Sequence, residues 1–264
     1  ETAVTEPDLN AGKNTILFGI RPCDARSFTL LDPVFEGDLP DPYYRARRSK
    51  AALLGIACND PFVNCFCTSI GGSPFGREGL DLLFIDCGDL FTLEVITEIG
   101  KEITGKASSL LSPAAAESSE QIAQAATDKI KRHIDLTGLP EKLASLFEHP
   151  VWKEFASKCI GCGICTYSCP TCYCFDMQDE TTLKQGRRVR IWDSCMFPEY
   201  TLHASGHNPR ATRTERFRNR IYHKFKFNMD NFHSYSCVGC GRCISLCPVN
   251  IDLIDYLSRV KETE

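Results

Sequence analysis

The sequence predicts an α+β chain of two unlike parts, and three observations carry that prediction. Short apolar runs alternate with polar stretches over residues 14–106, an Ala-, Gln- and Lys-rich stretch follows, and two cysteine runs of matching spacing lie beyond residue 158. The expected parts are an α/β region at 1–107, a helical linker at 108–157, and a cysteine-rich domain at 158–264 with an insertion at 175–232.

In the first part, TILFGI, AALLGIAC and DLLFIDC are near-continuous apolar runs of strand length. Such runs read as buried strands, in a parallel arrangement, with helices on the sheet faces. FTLEVITEIGKEI continues the region. SPAAAESSEQIAQAATDKIKRHI then suggests a capped helix that ends near Gly138-Leu139-Pro140. Shorter helices at about 140–147 and 151–157 lead into the first cysteine run.

That run is Cys159, Cys162, Cys165 and Cys169 followed by Pro170, and the second is Cys237, Cys240, Cys243 and Cys247 followed by Pro248. Each is C-x2-C-x2-C-x3-C-P, the spacing that holds cubane clusters in two-cluster ferredoxins. Three thiolates on a tight loop close round one face of a [4Fe–4S] cube, and the glycines of CIGCGIC and CVGCGRC let backbone N–H groups approach its sulfurs. In this pattern the fourth ligand comes from the other run. One cluster is therefore assigned to Cys159, Cys162, Cys165 and Cys247, and the other to Cys237, Cys240, Cys243 and Cys169. A single CxxC pair would leave zinc or a redox dithiol open, whereas two full runs closed by proline favour clusters.

The 67 residues between Cys169 and Cys237 exceed what a two-cluster core needs, so an insertion is expected outside that core. Its end is basic, with Arg210, Arg213, Arg216, Arg218, Arg220, Lys224 and Lys226 around an apolar stripe of Phe217, Ile221 and Phe225 at helical spacing. This stretch reads either as a solvated helix docked on the core or as cations that offset the clusters or receive an acidic partner. No recognition motif supports a nucleic-acid role.

A third site is expected in the first part. Cys23 and Cys58 follow the first two strands, and Cys65 and Cys67 lie in the next loop, at the sheet edge where ligands collect. A third [4Fe–4S] cluster on these four residues competes with a zinc or mixed site and with the reading of all four as small buried hydrophobes. Cys87 is the rival fourth ligand, and Asp24 is an oxygen donor beside Cys23. Cys172, Cys174 and Cys195 read as packing thiols near a filled cage, and the histidines as structural or surface groups. SIGGSPFG at 69–76 lacks the G-K-S/T ending of a phosphate loop. No catalytic residue is assigned, and no flavin or nicotinamide is expected on this chain alone.

Composition bounds the setting. Sixteen cysteines in 264 residues suit a reducing, cytoplasmic location, and the formal charge of −4 gives no reason to expect nucleic acid. No apolar stretch is long enough to span a membrane. The polar opening ETAVTEPDLNAGKN has neither a starting Met nor an apolar signal core, and is expected to be the edge of a longer chain.

FGIRPCDARSF at 18–28, LLGIACNDPFVNCFCTSIGGSPFG at 53–76, the two cysteine runs, WDSCMFPEYT at 192–201, and NPR leading to YHKF at 222–225 are long and specific strings. On them the chain resembles the iron–sulfur subunits that stand beside flavin subunits in anaerobic sulfite reductase and cytoplasmic [NiFe] sulfhydrogenase. The resemblance implies electron relay between a flavin-containing NAD(P)H oxidoreductase subunit and a sulfite reductase or [NiFe] hydrogenase catalytic subunit. It supports Cys23, Cys58, Cys65 and Cys67 over Cys87, and leaves the terminal acceptor open. The alternatives are a redox enzyme with an open amino-terminal iron site, or a scaffold that its clusters merely stabilise.

Overall fold

A computed structural model describes residues 5–9, 11–113 and 117–264. The chain is α+β and divides into two compact units, the first comprising residues 1–61 and 71–131, the second 62–70 and 132–264.

The first unit holds a four-stranded sheet of order β1 (Thr15–Ile20), β2 (Ala51–Ile56), β3 (Leu82–Asp86) and β4 (Phe91–Val95). β1, β2 and β3 run parallel as expected, and β4 returns antiparallel to β3 through a short turn. Two helices, α1 (Pro22–Phe35) and α2 (Pro42–Arg48), connect β1 to β2. Pro22 sits in the first turn of α1, where its missing N–H costs nothing. Ala25, Leu53, Leu83 and Ile85 form the core on one face, and α3 (Glu98–Lys106) packs on the other through Ile103. Asp81 joins these layers: its carboxylate accepts from the Leu53 amide at 2.8 Å and from the Thr97 hydroxyl, and Thr97 in turn caps α3.

Two expectations are corrected here. β1 is an edge strand with Ile16, Leu17 and Phe18 exposed rather than buried, because β2 covers it on one side only. The long helix is also shorter than its composition suggests: α4 (Glu117–Asp128) ends ten residues before Gly138, and residues 131–136 run without regular structure. The stretch expected as a linker is divided between the units. Ala126 of α4 belongs to the first core, whereas α5 (Leu139–Ser145) and α6 (Val151–Phe155) contribute Leu139, Leu143, Trp152 and Phe155 to the second. Trp152 is buried and donates its indole N–H to the Leu146 carbonyl at 2.7 Å, so the ring carries no unsatisfied donor into the core.

The second unit carries both cysteine runs, each with one helical turn around its third cysteine: α7 (Ile164–Tyr167) and α10 (Arg242–Ser245). The insertion opens with an exposed two-stranded hairpin, β5 (Phe175–Thr181) and β6 (Gly186–Trp192). It does not stay outside the core. From Arg213 the chain turns inward as α8 (Arg213–Tyr222), a π-helical turn (His223–Phe227) and α9 (Asn228–Phe232), burying Phe217, Ile221 and Phe225 as their spacing predicts. α11 (Leu253–Glu262) closes the unit with Leu253, Leu257 and Val260.

Candidate iron–sulfur centres

The two cysteine runs adopt the same local form. Gly161 and Gly163 in the first, and Gly239 and Gly241 in the second, all have φ between 65° and 74°, the left-handed region that a side chain disfavours. This curl turns amides toward sulfur: the Gly161 N–H points at Cys159 Sγ at 3.4 Å, and the Gly239 N–H at Cys237 Sγ at 3.5 Å. The Ile251 amide donates to Cys247 Sγ at 3.3 Å. Such donors stabilise thiolate charge.

Two cavities lie among these cysteines, and their linings follow the crossed pattern. Cys159, Cys162, Cys165 and Cys247 face the first, and Cys169, Cys237, Cys240 and Cys243 face the second. The cavities are neighbours, with Cys243, Arg220 and Leu253 on the wall of both. Elsewhere the first is lined by apolar groups including Met196 and Phe217, and the second by Phe66 and Val238. Arg220 Nε, buried on the shared wall, has no hydrogen-bond partner in the protein. A cluster fits these observations: it supplies four thiolate-bound irons to each set of cysteines and sulfur acceptors to the orphaned guanidinium N–H. Among the described residues no three His, Cys, Asp or Glu side chains are close enough to hold a single metal ion.

Burial pushes the Cys159 and Cys165 thiols up, and Cys237 up to about 12. Thiolates at these positions need positive charge beside them, which bound iron provides, and metal loading releases their protons. Cys169 goes the other way, held down by a hydrogen bond from Cys172 and by the Lys224 ammonium. Cys172 is thus a thiol donor to a ligand candidate, as the packing reading expects. Cys174 is drawn down to about 6 by its hydrogen bond from Cys195, which is itself held protonated.

The basic stretch divides between its readings. Arg216, Arg220 and Lys224 are buried and so are not part of a solvated face, whereas Arg213 is exposed. Arg216 is spent on the carbonyls of Met196, Arg210 and Ala211. Arg218 stacks on Phe147, 3.9 Å from the ring centroid, and Arg213 donates to the Cys159 carbonyl at 2.6 Å. Lys224 donates to Cys169 Sγ at 3.2 Å, to Thr171 Oγ1 at 3.1 Å and to the Ser236 carbonyl at 2.9 Å. Burial alone would strip its proton, yet the surrounding thiols hold its pKa above that of a free lysine.

The residues expected at a third site are drawn from both units. Cys23, in the first turn of α1, and Cys58, just beyond β2, belong to the first unit. Cys87 follows β3 there, with its sulfur near the Thr92 hydroxyl and the Ile85 carbonyl. Asp24 is in the same turn as Cys23. Cys65 and Cys67 belong to the second unit, on a segment pressed against the second cysteine run. There the Phe66 amide donates to the Gly239 carbonyl at 2.8 Å, and Cys65 Sγ lies 3.6 Å from the Cys240 carbonyl. The role of Phe66 in walling the second cavity was missed by sequence reasoning, since the residue is far from the run in the chain and carries no chemistry of its own.

Comparison with known proteins agrees with this geometry. The family described as a 4Fe-4S dicluster domain matches residues 158–251, which include all eight cysteines of the two runs. Sulfhydrogenase 2 subunit beta of Pyrococcus furiosus is 36% identical over 263 residues, a match that covers 98% of this chain and 77% of that protein. No solved structure matches. The chain therefore belongs to the family of iron–sulfur subunits that includes this sulfhydrogenase β subunit.

Proposed function

We propose that the chain is an electron relay that holds two [4Fe–4S] clusters on the crossed cysteine sets and passes electrons between partner subunits. The observation that carries this reading is the pair of adjoining cavities, which share Cys243 and Arg220 and are each lined by one of the crossed cysteine sets. Bound clusters supply reversible one-electron storage; the protein sets their spacing, burial and charge. Cys162 is exposed and its neighbour Ile160 is 58% exposed, so the first set presents an edge where a partner can approach. Cys237 and Lys224 are buried, which shields the second set from solvent.

On the resemblance to the sulfhydrogenase subunit, the partners are a flavin subunit that uses NAD(P)H and a [NiFe] hydrogenase or sulfite-reducing subunit, in a cytoplasmic complex. Among the described residues no helix is long and apolar enough to cross a membrane. The third cluster on Cys23, Cys58, Cys65 and Cys67 stands as a further proposal. Anaerobic iron and acid-labile sulfide analysis separates the cases: about eight irons per chain for two cubes and about twelve for three. Purification of the native complex then identifies the partners, with nickel expected for a hydrogenase and siroheme for a sulfite reductase. Clusters that never change redox state would refute the relay.

A further inference from the structure

The two centres are matched in their loops and unmatched in their charge. The paired glycine curls, the amides on Cys159 and Cys237, and the single helical turn within each run give both sets similar neutral donors. Arg220 walls both cavities: it donates to the Cys165 carbonyl of the first set at 3.3 Å, while its Nε on the shared wall has no partner in the protein, so it serves both sets. Lys224 serves the second. The residue is 3% exposed and lines the second cavity, and its ammonium touches Cys169 Sγ at 3.2 Å. The first set's nearby cation is Arg213, which is exposed and spends its N–H on the Cys159 carbonyl. A buried charge acts through low dielectric, whereas water and salt screen an exposed one.

Reduction adds one negative charge to a cluster, so a fixed cation beside a ligand sulfur stabilises the reduced form. Burial opposes this at the second set by penalising added charge. The ammonium outweighs it, because its three hydrogen bonds hold it against the thiolate in that same dry environment. We infer that Lys224 is a positioning residue that makes the cluster on Cys169, Cys237, Cys240 and Cys243 the more easily reduced of the two, so that electrons entering at the exposed Cys162 edge settle inward. The inference rests on the two-cluster reading.

The test is an anaerobic redox titration of the full chain followed by electron paramagnetic resonance, with iron content measured on every sample. Two midpoints are expected. Lys224→Gln keeps a hydrogen-bonding side chain without the charge, and should lower the higher midpoint by at least a tenfold change in the reduced-to-oxidised ratio, about 59 mV for one electron. Lys224→Arg should restore most of that shift, and the lower midpoint should stay in place. Equal shifts of both midpoints, or none, at unchanged iron content would overturn the inference. A second arm keeps it falsifiable if Lys224→Gln loses iron: Cys162→Ser, on the exposed edge, must perturb the lower-potential signal, and perturbation of the higher one overturns it. Wild-type chain with fewer than about eight irons would instead refute the two-cluster reading itself.

Discussion

The first and second cysteine runs share a backbone and differ in what covers them. Around the first, Gly161 has no neighbour closer than 3.8 Å to where a Cβ would sit, Gly163 meets only side chains, the Phe197 ring at 2.8 Å and Ser194 Oγ at 3.2 Å, and Cys162 is exposed. Around the second, a Cβ on Gly239 would lie 2.6 Å from the Cys67 backbone, and one on Gly241 would collide with the Asn64 carbonyl. The second run is sealed by a segment 170 or so residues earlier in the chain, fixed further by the Asn64 amide on Ser245 Oγ at 3.0 Å and by Arg132, which bridges Asn64 and Asp252. A repeated ligand motif thus yields two different sites, because the motif fixes the loop and the remote packing fixes the environment.

The sharpest way to break the comparison is to remove the seal. Phe66 is 1% exposed, and Phe66→Ala should cost about 3–5 kcal/mol as a large-to-small core change. It should also speed oxygen-driven loss of the buried cluster's signal, leaving the exposed one at its wild-type rate. Chemical denaturation and the decay of each signal in air check both parts. Equal acceleration of the two would mean that Phe66 guards stability alone.

Next in size are the glycines. Gly239→Ala combines a positive-φ penalty with overpacking and should cost about 3 kcal/mol, whereas Gly161→Ala meets only the backbone penalty, about 1 kcal/mol. Denaturant midpoints of the two variants should differ accordingly. Equal effects would place the second run as open as the first.

A pH dependence is expected at the helix that carries the buried cations. His223 is drawn down to about 4, first by burial and then by Lys224 and Arg210, while its ring hydrogen-bonds Tyr173 at 2.9 Å. The folded protein therefore binds fewer protons here than the unfolded chain, whose histidine titrates near 6.5. This contribution is full above about 6.5 and is lost as pH falls toward 4. His223→Gln should flatten the fall of stability across that window. An unchanged pH slope would show that His223 does not report on this region.

Legibility from sequence followed the range of the determining interactions. The three parallel strands, α5, α6 and the Phe217, Ile221, Phe225 stripe were readable because local apolar periodicity sets them. The dicluster domain was readable because a cluster dictates the spacing of its thiolates. The exposure of β1 was not, since an edge strand and a central one have the same apolar run until the strand order is known. The inward turn of Arg220 and Lys224 was equally hidden, because a basic helix carries no sign in its sequence of which face meets a thiolate. That Cys23 and Cys58 belong to one unit and Cys65 and Cys67 to the other follows from a chain that leaves its first unit for nine residues and returns, which no local pattern announces.

The central claim is that the fourth thiolate of each centre comes from the opposite run. Cys247→Ser, compared with Cys162→Ser and Cys237→Ser by electron paramagnetic resonance of the reduced chain, tests it directly. The account predicts that Cys247→Ser alters the same signal as Cys162→Ser and spares the one altered by Cys237→Ser. If Cys247→Ser instead alters the signal that Cys237→Ser alters, the sets are not crossed and the account is contradicted.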